Sequence, residues 1–439
     1  MVLWDVDRAT GLWSQRETLA GHDGAVTGIV ASPDGRMLLS ASADESAITW
    51  DVGADAGLGS ADPGLAGRWI ANRPELVRHG LMVAPTRPTS QLGDGRTEAT
   101  TDTLPVAATF LDPGTGRVVG QVPVGDTVPG ALFGASVSVS PDRDMVAVTS
   151  GLATTVVDTR TREVLGRIAL PPTNPDEFPH ELVSGAGWTA DGTRLLLGTE
   201  GLLDDNGDGG LAVVNPATWQ VERRVELGGA VQVMEQSPDG RLLAVAKAAT
   251  PGSDRTPELW LLDAATLDRL ATVRLADGAF PHDLSFSPEG RRLAVGGERG
   301  LVTLLDTTTW RPVHEPVVLH AEFAQQVEWM PDGRTVVSSG ADGRVALYDV
   351  ERDRVSGATL PGSAEPINAP ALGQRYTFLV PPNPDQVVTL SGERSGHRYP
   401  MRASEWLARA CAVAGRDLSP AEWARYLPEQ PYRQTCSED

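Results

Sequence analysis

The chain has almost no lysine, only two cysteines, few aromatics and no long apolar run, and each scarcity removes a class of protein. Of 37 basic residues only Lys247 is a lysine, an imbalance we read as codon bias towards arginine. Set against 58 acidic residues, these leave a net charge of −21. Such a surface repels phosphate backbones and anionic lipid, so neither nucleic acid nor a membrane is an expected partner. Both cysteines, Cys411 and Cys436, lie near the C-terminal end. The body therefore has no disulfide framework, and the expected compartment is the reducing cytoplasm. No apolar stretch approaches the roughly 18 residues that span a bilayer. The opening "MVLWDVDRAT" lacks the basic-then-apolar pattern of a signal peptide. Gly-x-Ser-x-Gly, a Gly-rich phosphate loop before a helix and His-Glu-x-x-His are missing too. No catalytic residue is named by the sequence, and the chain is expected not to be an enzyme.

What is present is a repeat. "SPDGR" at Ser32–Arg36 returns as "SPDRD" at Ser140–Asp144, "SPDGR" at Ser237–Arg241 and "SPEGR" at Ser287–Arg291. Looser copies stand at Thr189–Arg194, Met330–Arg334 and Pro382–Gln386. The acidic positions step by 108, 49, 48, 50, 43 and 53 residues, so the first interval hides one degenerate copy. Proline presets φ and Asp-Gly makes the corner, with alternating apolar runs on both sides. A second phrase keeps the same period: an apolar run ending in Asp or Asn, at Asp5, Asp51, Asp112, Asp158, Asn215, Asp263, Asp306 and Asp349. Each unit reads as four short strands; around Asp239 they are 231–235, 242–246, 259–262 and 270–275. Four strands per unit with no helical period between them describes a propeller blade.

The expected fold is all-β: a β-propeller of four-stranded antiparallel blades over residues 1–400, followed by a short α-helical tail over 401–439. Counting gives seven units, one degenerate near Leu65–Val124, plus a split eighth. The eighth would join strands at 2–6 and 12–19 to strands at 376–380 and 386–391, removing exposed edges. The alternative is a seven-bladed ring with an orphan N-terminal unit.

The stretch "AGHDGAVTGIVASPDGRMLLSASADESAITWDV", Ala20–Val52, resembles a WD repeat, with its Gly-His start and Trp-Asp finish. Later units keep the corner and the terminal Asp but lose most of those pairs. The resemblance covers about residues 1–400. It implies a non-catalytic scaffold or sensor that binds protein partners, with a role in bacterial signalling or regulation. The rival reading is a propeller enzyme, lactonase- or dehydrogenase-like, with a site at the central mouth. A monomer is expected.

In an antiparallel meander alternate turns fall at opposite ends. The second-to-third turns and the inter-blade connections therefore share a face. On it the sequence inserts Pro171–Glu181, Gly201–Gly210 and Ala249–Glu258, and repeats "EFPHE" as "AFPHD" at Ala279–Asp283. Elaborated loops on a rigid scaffold usually carry binding. The expected partner surface is Glu177, Phe178, His180, Asp205, Asp254, Phe280 and His282. Within "DDNGDGG", Asp204, Asn206 and Asp208 alternate as oxygen ligands do in a calcium loop. Calcium is thus a candidate ligand, though no cofactor is required. Position twelve, where such loops close with a carboxylate, is Asn215. A solvated acidic hairpin is the competing reading.

Of the seven histidines, His22, His180 and His282 precede a first strand, the Gly-His position of the WD repeat, where the resemblance implies a structural bond within the blade. In the tail, Trp406, Leu407, Ala410, Cys411 and Ala414 fall at helical spacing, and "SPAE" at Ser419–Glu422 is a capping box. The segment is too small to fold alone and is expected to dock on the propeller. It resembles the tail of bacterial, especially actinobacterial, WD-repeat proteins. Cys411 and Cys436 can pair; the preferred reading leaves Cys411 an unpaired core thiol.

Overall fold

A computed structural model of the chain describes residues 2–6, 13–18, 26–31, 37–42, 47–51, 68–70, 74–88, 105–112, 117–126, 136–150, 153–170, 183–199, 209–247, 257–276, 280–355, 360–361, 377–383, 385–391, 396–402, 404–405, 407–408, 411, 416–426, 430–434 and 436. The chain falls into two compact units. One comprises Met1–Gly57, Asn383–Val387 and Arg398–Asp439; the other comprises Leu58–Pro382 and Val388–His397.

In the first unit β1 (Val2–Val6) pairs with β2 (Trp13–Thr18), and β3 (Val26–Ala31), β4 (Met37–Ser42) and β5 (Ala47–Asp51) form a meander. The second unit opens with β6 (Arg68–Ile70), β7 (Glu75–Leu76), β8 (Met82–Pro88), β9 (Pro105–Leu111) and β10 (Val118–Asp126). This is the degenerate unit, a sheet in the order β10-β9-β8-β6 with β7 also on β8. Four four-stranded meanders follow. The first holds β11 (Ser136–Val139), β12 (Met145–Thr149), β13 (Thr154–Asp158) and β14 (Val164–Ile168). Next come β15 (Val183–Trp188), β16 (Leu195–Thr199), β17 (Gly210–Asn215) and β18 (Gln220–Glu226). The third is β19 (Val231–Gln236), β20 (Leu242–Lys247), β21 (Glu258–Asp263) and β22 (Arg269–Arg274). A fourth comprises β23 (Pro281–Phe286), β24 (Arg292–Gly297), β25 (Leu301–Asp306) and β26 (Val317–Val318). The next has β27 (Ala324–Trp329), β28 (Thr335–Gly340), β29 (Arg344–Asp349) and β30 (Arg354–Val355), with β31 (Leu360–Pro361) also on β29. A three-stranded sheet of β32 (Thr377–Asn383), β33 (Gln386–Ser391) and β34 (Gly396–Pro400) draws its residues from both units.

The architecture is all-β and propeller-like, as expected. One detail differs. The edge of β33 expected to receive strands from the N-terminal end carries β34 instead, while β1 and β2 pair with each other. The Gly/Ser-containing stretch 392–395 is short enough for a hairpin, so the third strand comes from the same end of the chain.

The core of the second unit is a series of seams between consecutive sheets. Val83, Phe110 and Val122 pack against Val146, Val148 and Val157 of the next sheet. Ala147 and Ile168 then meet Trp188, Leu195 and Leu197. Leu211 and Val213 meet Leu243, Val245 and Trp260, and Leu259 and Leu261 meet Leu284, Phe286 and Leu293. Finally Val302 and Leu304 meet Val327, Trp329 and Tyr348. Both sheet faces are covered, so the middle strands read as unbroken apolar runs. Burying each such side chain contributes about 1.5–3 kcal/mol.

Both recurring phrases are turn devices. In the first-to-second corners Ser140, Thr189 and Ser237 donate through their hydroxyls to Asp142, Asp191 and Asp239 at 2.6–2.7 Å. The backbone N–H groups of Asp144, Thr193 and Arg241 donate to the same carboxylates at 3.0–3.1 Å. In the third-to-fourth turns Asp158, Asp263 and Asp306 each accept two backbone N–H groups at 2.7–3.0 Å. Asn215 accepts the N–H of Ala217 at 2.9 Å in the same way. A short side-chain acceptor is what this turn needs, which is why the phrase ends in Asp or Asn. Four residues after each of these, and after Asp349, lies a left-handed non-glycine: Arg162, Trp219, Leu267, Trp310 and Asp353.

In the tail α1 (Pro420–Tyr426) carries the expected capping box. The Ser419 N–H donates to Glu422 at 2.8 Å and the Glu422 N–H to the Ser419 hydroxyl at 3.3 Å. Residues 404, 405, 407, 408 and 411 are helical as well. Cys411 is not a free core thiol: it is bonded to Cys436 and partly exposed. The hydrogen bond from the Cys436 N–H to Asp417, at 2.6 Å, helps hold the chain end beside it.

Candidate functional site

The hydrogen bonds divide the turns of each sheet between two ends. At one end the third-to-fourth turns donate to the first-to-second corners: Thr159 to Asp144, Ala264 to Arg241, Thr307 to Arg291 and Val350 to Arg334, at 2.9–3.0 Å. At the other end second-to-third turns meet the entering and leaving connections. Glu298 donates to Phe280 and Ala341 to Phe323, both at 3.0 Å, and Leu227 donates to Gly209 at 3.1 Å. This second end is where the sequence places its insertions.

Four of the first strands in the series, β15, β19, β23 and β27, start with the same irregularity at that end, while β11 pairs in regular register. The register slips between Val183 and Gly185, Val231 and Val233, Pro281 and Asp283, and Ala324 and Gln326. In the other unit it slips between Val26 and Gly28. The residue skipped at each bulge is polar: Ser184, Gln232, His282, Gln325 and, in the other unit, Thr27. A bulge leaves its extra residue outside the ladder and re-aims the side chain. Three of these side chains keep a buried polar atom without a hydrogen-bond partner: Ser184 Oγ, His282 Nε2 and Gln325 Oε1. Such atoms carry a desolvation cost of about 1–3 kcal/mol each that a ligand group can relieve.

His282 is the most specific of them. Its ring stacks on Phe323 at 4.6 Å, 29° from parallel. Burial pushes its pKa down to about 4, so the ring is neutral at physiological pH. The expected structural bond within its own blade is therefore not its role: Nε2 is unpaired and the ring packs on a residue of the next sheet's connection. That structural role belongs to His320, which the sequence reading passed over. His320 Nε2 meets the Ser338 hydroxyl at 2.9 Å and Nδ1 meets Asp342 at 3.2 Å. Burial pushes the Asp342 carboxyl up, but the His320 contact and the N–H groups of Ala321 and Arg344 outweigh it and hold it below the usual range. The available signal was Leu319–His320 ahead of a first strand and "ADG" at 341–343.

Of the expected partner surface, Phe280 and His282 lie on this end, Phe280 half-buried and bonded through its carbonyl to Glu298. Glu177, Phe178, His180, Asp205 and Asp254 lie outside the described residues, as do Asp204, Asn206 and Asp208 of the candidate calcium loop and His22. The loop's stem is described. Thr199 ends β16 and its hydroxyl accepts the Gly210 N–H at 3.0 Å, so the insertion does span a second-to-third turn. Asn215 is engaged elsewhere, capping its own turn and donating to Glu222 at 2.8 Å. Among the described residues no group of three or more His, Cys, Asp or Glu side chains is placed to hold a metal ion. No described helix is long and apolar enough to cross a membrane.

The family model for the WD domain, G-beta repeat matches residues 13–51 and 318–349. The second match contains the His320–Ser338–Asp342 network. Over 72 residues the chain is 33% identical to COMPASS component SWD1 of Saccharomyces cerevisiae, a match covering 16% of this chain and 17% of that protein. Over 119 residues it is 28% identical to WD repeat-containing protein SL1-17 of Schistosoma mansoni, covering 27% of this chain and 36% of the other. The matched segments thus span little more than a third, at most, of these two relatives. Among solved structures, a chain of a mitotic checkpoint complex superposes with a TM-score of 0.54 at 13% identity, over 78% of this chain and 94% of that one. A chain of Kuenenia stuttgartiensis hydrazine synthase superposes with a TM-score of 0.56 at 15% identity, over 75% and 96%. At such identities these likenesses speak for the fold alone. Residues 13–51 and 318–349 are thus similar to WD40 repeats, and the sheets between them are antiparallel meanders of the propeller-blade kind.

Proposed function

We propose that this chain is a non-catalytic protein-interaction scaffold whose docking face is the end bearing the bulged first strands. The observation that carries the reading is the row of polar bulge residues, three of them with unpaired buried atoms, beside the stacked His282–Phe323 pair. The WD-repeat relatives support it, since one is named as a component of a larger assembly. The inserted loops 171–181, 201–210 and 249–258 would add acidic groups around this row, which suits a partner with basic or amide donors. Calcium in the 204–208 loop would stiffen that rim without running a reaction. The finer reading, a regulatory role in a bacterial cytoplasm, rests on the tail's resemblance and on a body without cysteines.

The test is quantitative affinity capture from native lysate with three baits: wild type, His282→Ala with Gln325→Ala, and a chain lacking 201–208. We expect all three baits to fold, and one partner to be lost from both variants together. An unchanged partner profile from both would remove this face from consideration.

A further inference from the structure

The two cysteines of the chain are joined to each other, with Cα atoms 5.3 Å apart across a sequence separation of 25. Described residues between them contact one another. The Trp423 ring, 3% exposed, meets Tyr432 edge-on at 5.7 Å, and its indole N–H donates to the Gln430 carbonyl at 2.8 Å. The Tyr432 hydroxyl donates to the Leu418 carbonyl at 3.2 Å. Arg416 forks onto Glu422 at 2.7 and 2.8 Å, and Cys436 closes the circuit through its N–H to Asp417. Each of these contacts joins residues inside 411–436. The disulfide closes this stretch into a loop and so restricts the chain that would otherwise open. Its helix, α1, has seven residues, fewer than an isolated helix needs in water. Both cysteines are partly exposed residues.

We propose that residues 411–436 form a thiol-gated clasp, compact while the Cys411–Cys436 bond is intact and opened by exchange with a dithiol reductant. In that exchange a thiolate of the reductant attacks one of the two sulfurs, and the bond between Cys411 and Cys436 breaks. The departing sulfur leaves as thiolate and takes up a proton. The second thiol of the reductant then displaces the mixed disulfide. Two electrons and two protons have passed from the dithiol to the cysteine pair, and the reductant is left as its own disulfide. The hydrogen bonds and the ion pair named above are then left without their covalent closure, so α1 and the cover over Trp423 loosen. The clasp is independent of the interaction face proposed above.

The test is limited trypsin digestion of the full-length chain, oxidised and after dithiothreitol, with the sites followed by mass. Arg416, Arg425 and Arg433 supply cleavage points inside the clasp. Cleavage that tracks the open population should rise at least about tenfold at Arg425 on reduction, with sites in 183–247 unchanged. Reoxidation should restore protection, and the double variant Cys411→Ser/Cys436→Ser should be cut at the reduced rate with or without dithiothreitol. Equal cleavage at Arg425 in the oxidised and reduced wild-type chain would overturn the proposal. That comparison needs no variant, so it stands even if the serine pair folds poorly.

Discussion

Arg143 occupies a position that the other corners of its kind give to glycine. Its φ is 62°, beside 67°, 70°, 70° and 64° at Gly192, Gly240, Gly290 and Gly333. A side chain in this left-handed region costs roughly 1–2 kcal/mol, against which glycine carries a larger entropy loss on folding. The backbone carbonyl of Arg143 serves the Thr159 hydroxyl at 2.9 Å, a bond any residue can supply. Arg143→Gly should therefore stabilise the chain by about 0.5–1 kcal/mol, read as a shift in urea midpoint at unchanged slope. At this scale the sequence was legible where chemistry is local: the corners, the terminal Asp and the capping box follow from short-range hydrogen bonds. It was not legible at His282, because whether a ring bonds within its blade depends on a bulge that no residue type announces.

Between elements, the left-handed residues after the third strands act as wedges. The Arg162 side chain lies over the Phe110 ring at 5.8 Å and covers Gly120 of the preceding sheet's last strand. A Cβ built on Gly120 would come within 2.8 Å of that side chain, and one on Gly166 would overlap the Trp219 indole outright. Leu267 and Trp310 likewise pack into the seams with the sheets before them. Asp353 accepts from the Tyr348 hydroxyl, which also meets His314 of the preceding sheet at 3.0 Å. Strain at each wedge is thus offset by contact across a seam. Gly166→Ala should cost about 1–3 kcal/mol by overpacking. Combining it with Trp219→Ala should cost less than the sum of the two single changes, which a double-mutant cycle in urea will show. The period was readable from the sequence, since four strands per unit follow from alternation and turn spacing. The pairing of the ends was not, because the edge of a strand at 386–391 accepts any third strand, and a near one closes a shorter loop.

At the scale of the whole molecule, described carboxylates and the His282 imidazole shape the response to acid. Hydroxyl and backbone N–H donors hold Asp142, Asp191 and Asp239 below the usual carboxylate range. Backbone N–H donors do the same for Asp158, Asp263 and Asp306, and the Arg334 guanidinium holds Asp349 at about 2. Folded-state carboxyls of this kind bind fewer protons than unfolded ones, so their stabilisation is complete above the unfolded pKa and is lost as pH falls below about 4. His282 acts earlier and with the same sign. Its folded pKa of about 4 lies below the unfolded 6.5, so the unfolded chain takes up the proton first and stability declines between those values. Unfolding free energy against pH should fall in two stages, and His282→Gln should erase the upper one alone. A single stage that starts below pH 4 in the wild-type chain would show that the ring is not buried neutral.

The wedges also give the array a direction in time. Gly166 closes only when the turn carrying Trp219 arrives, and Gly120 only when the turn carrying Arg162 does. A chain made from its N-terminal end cannot complete one sheet before the third strand of the next has been synthesised. These two sheets would therefore leave the ribosome with an open groove on the outermost strand, filled about 40 to 50 residues later by the successor.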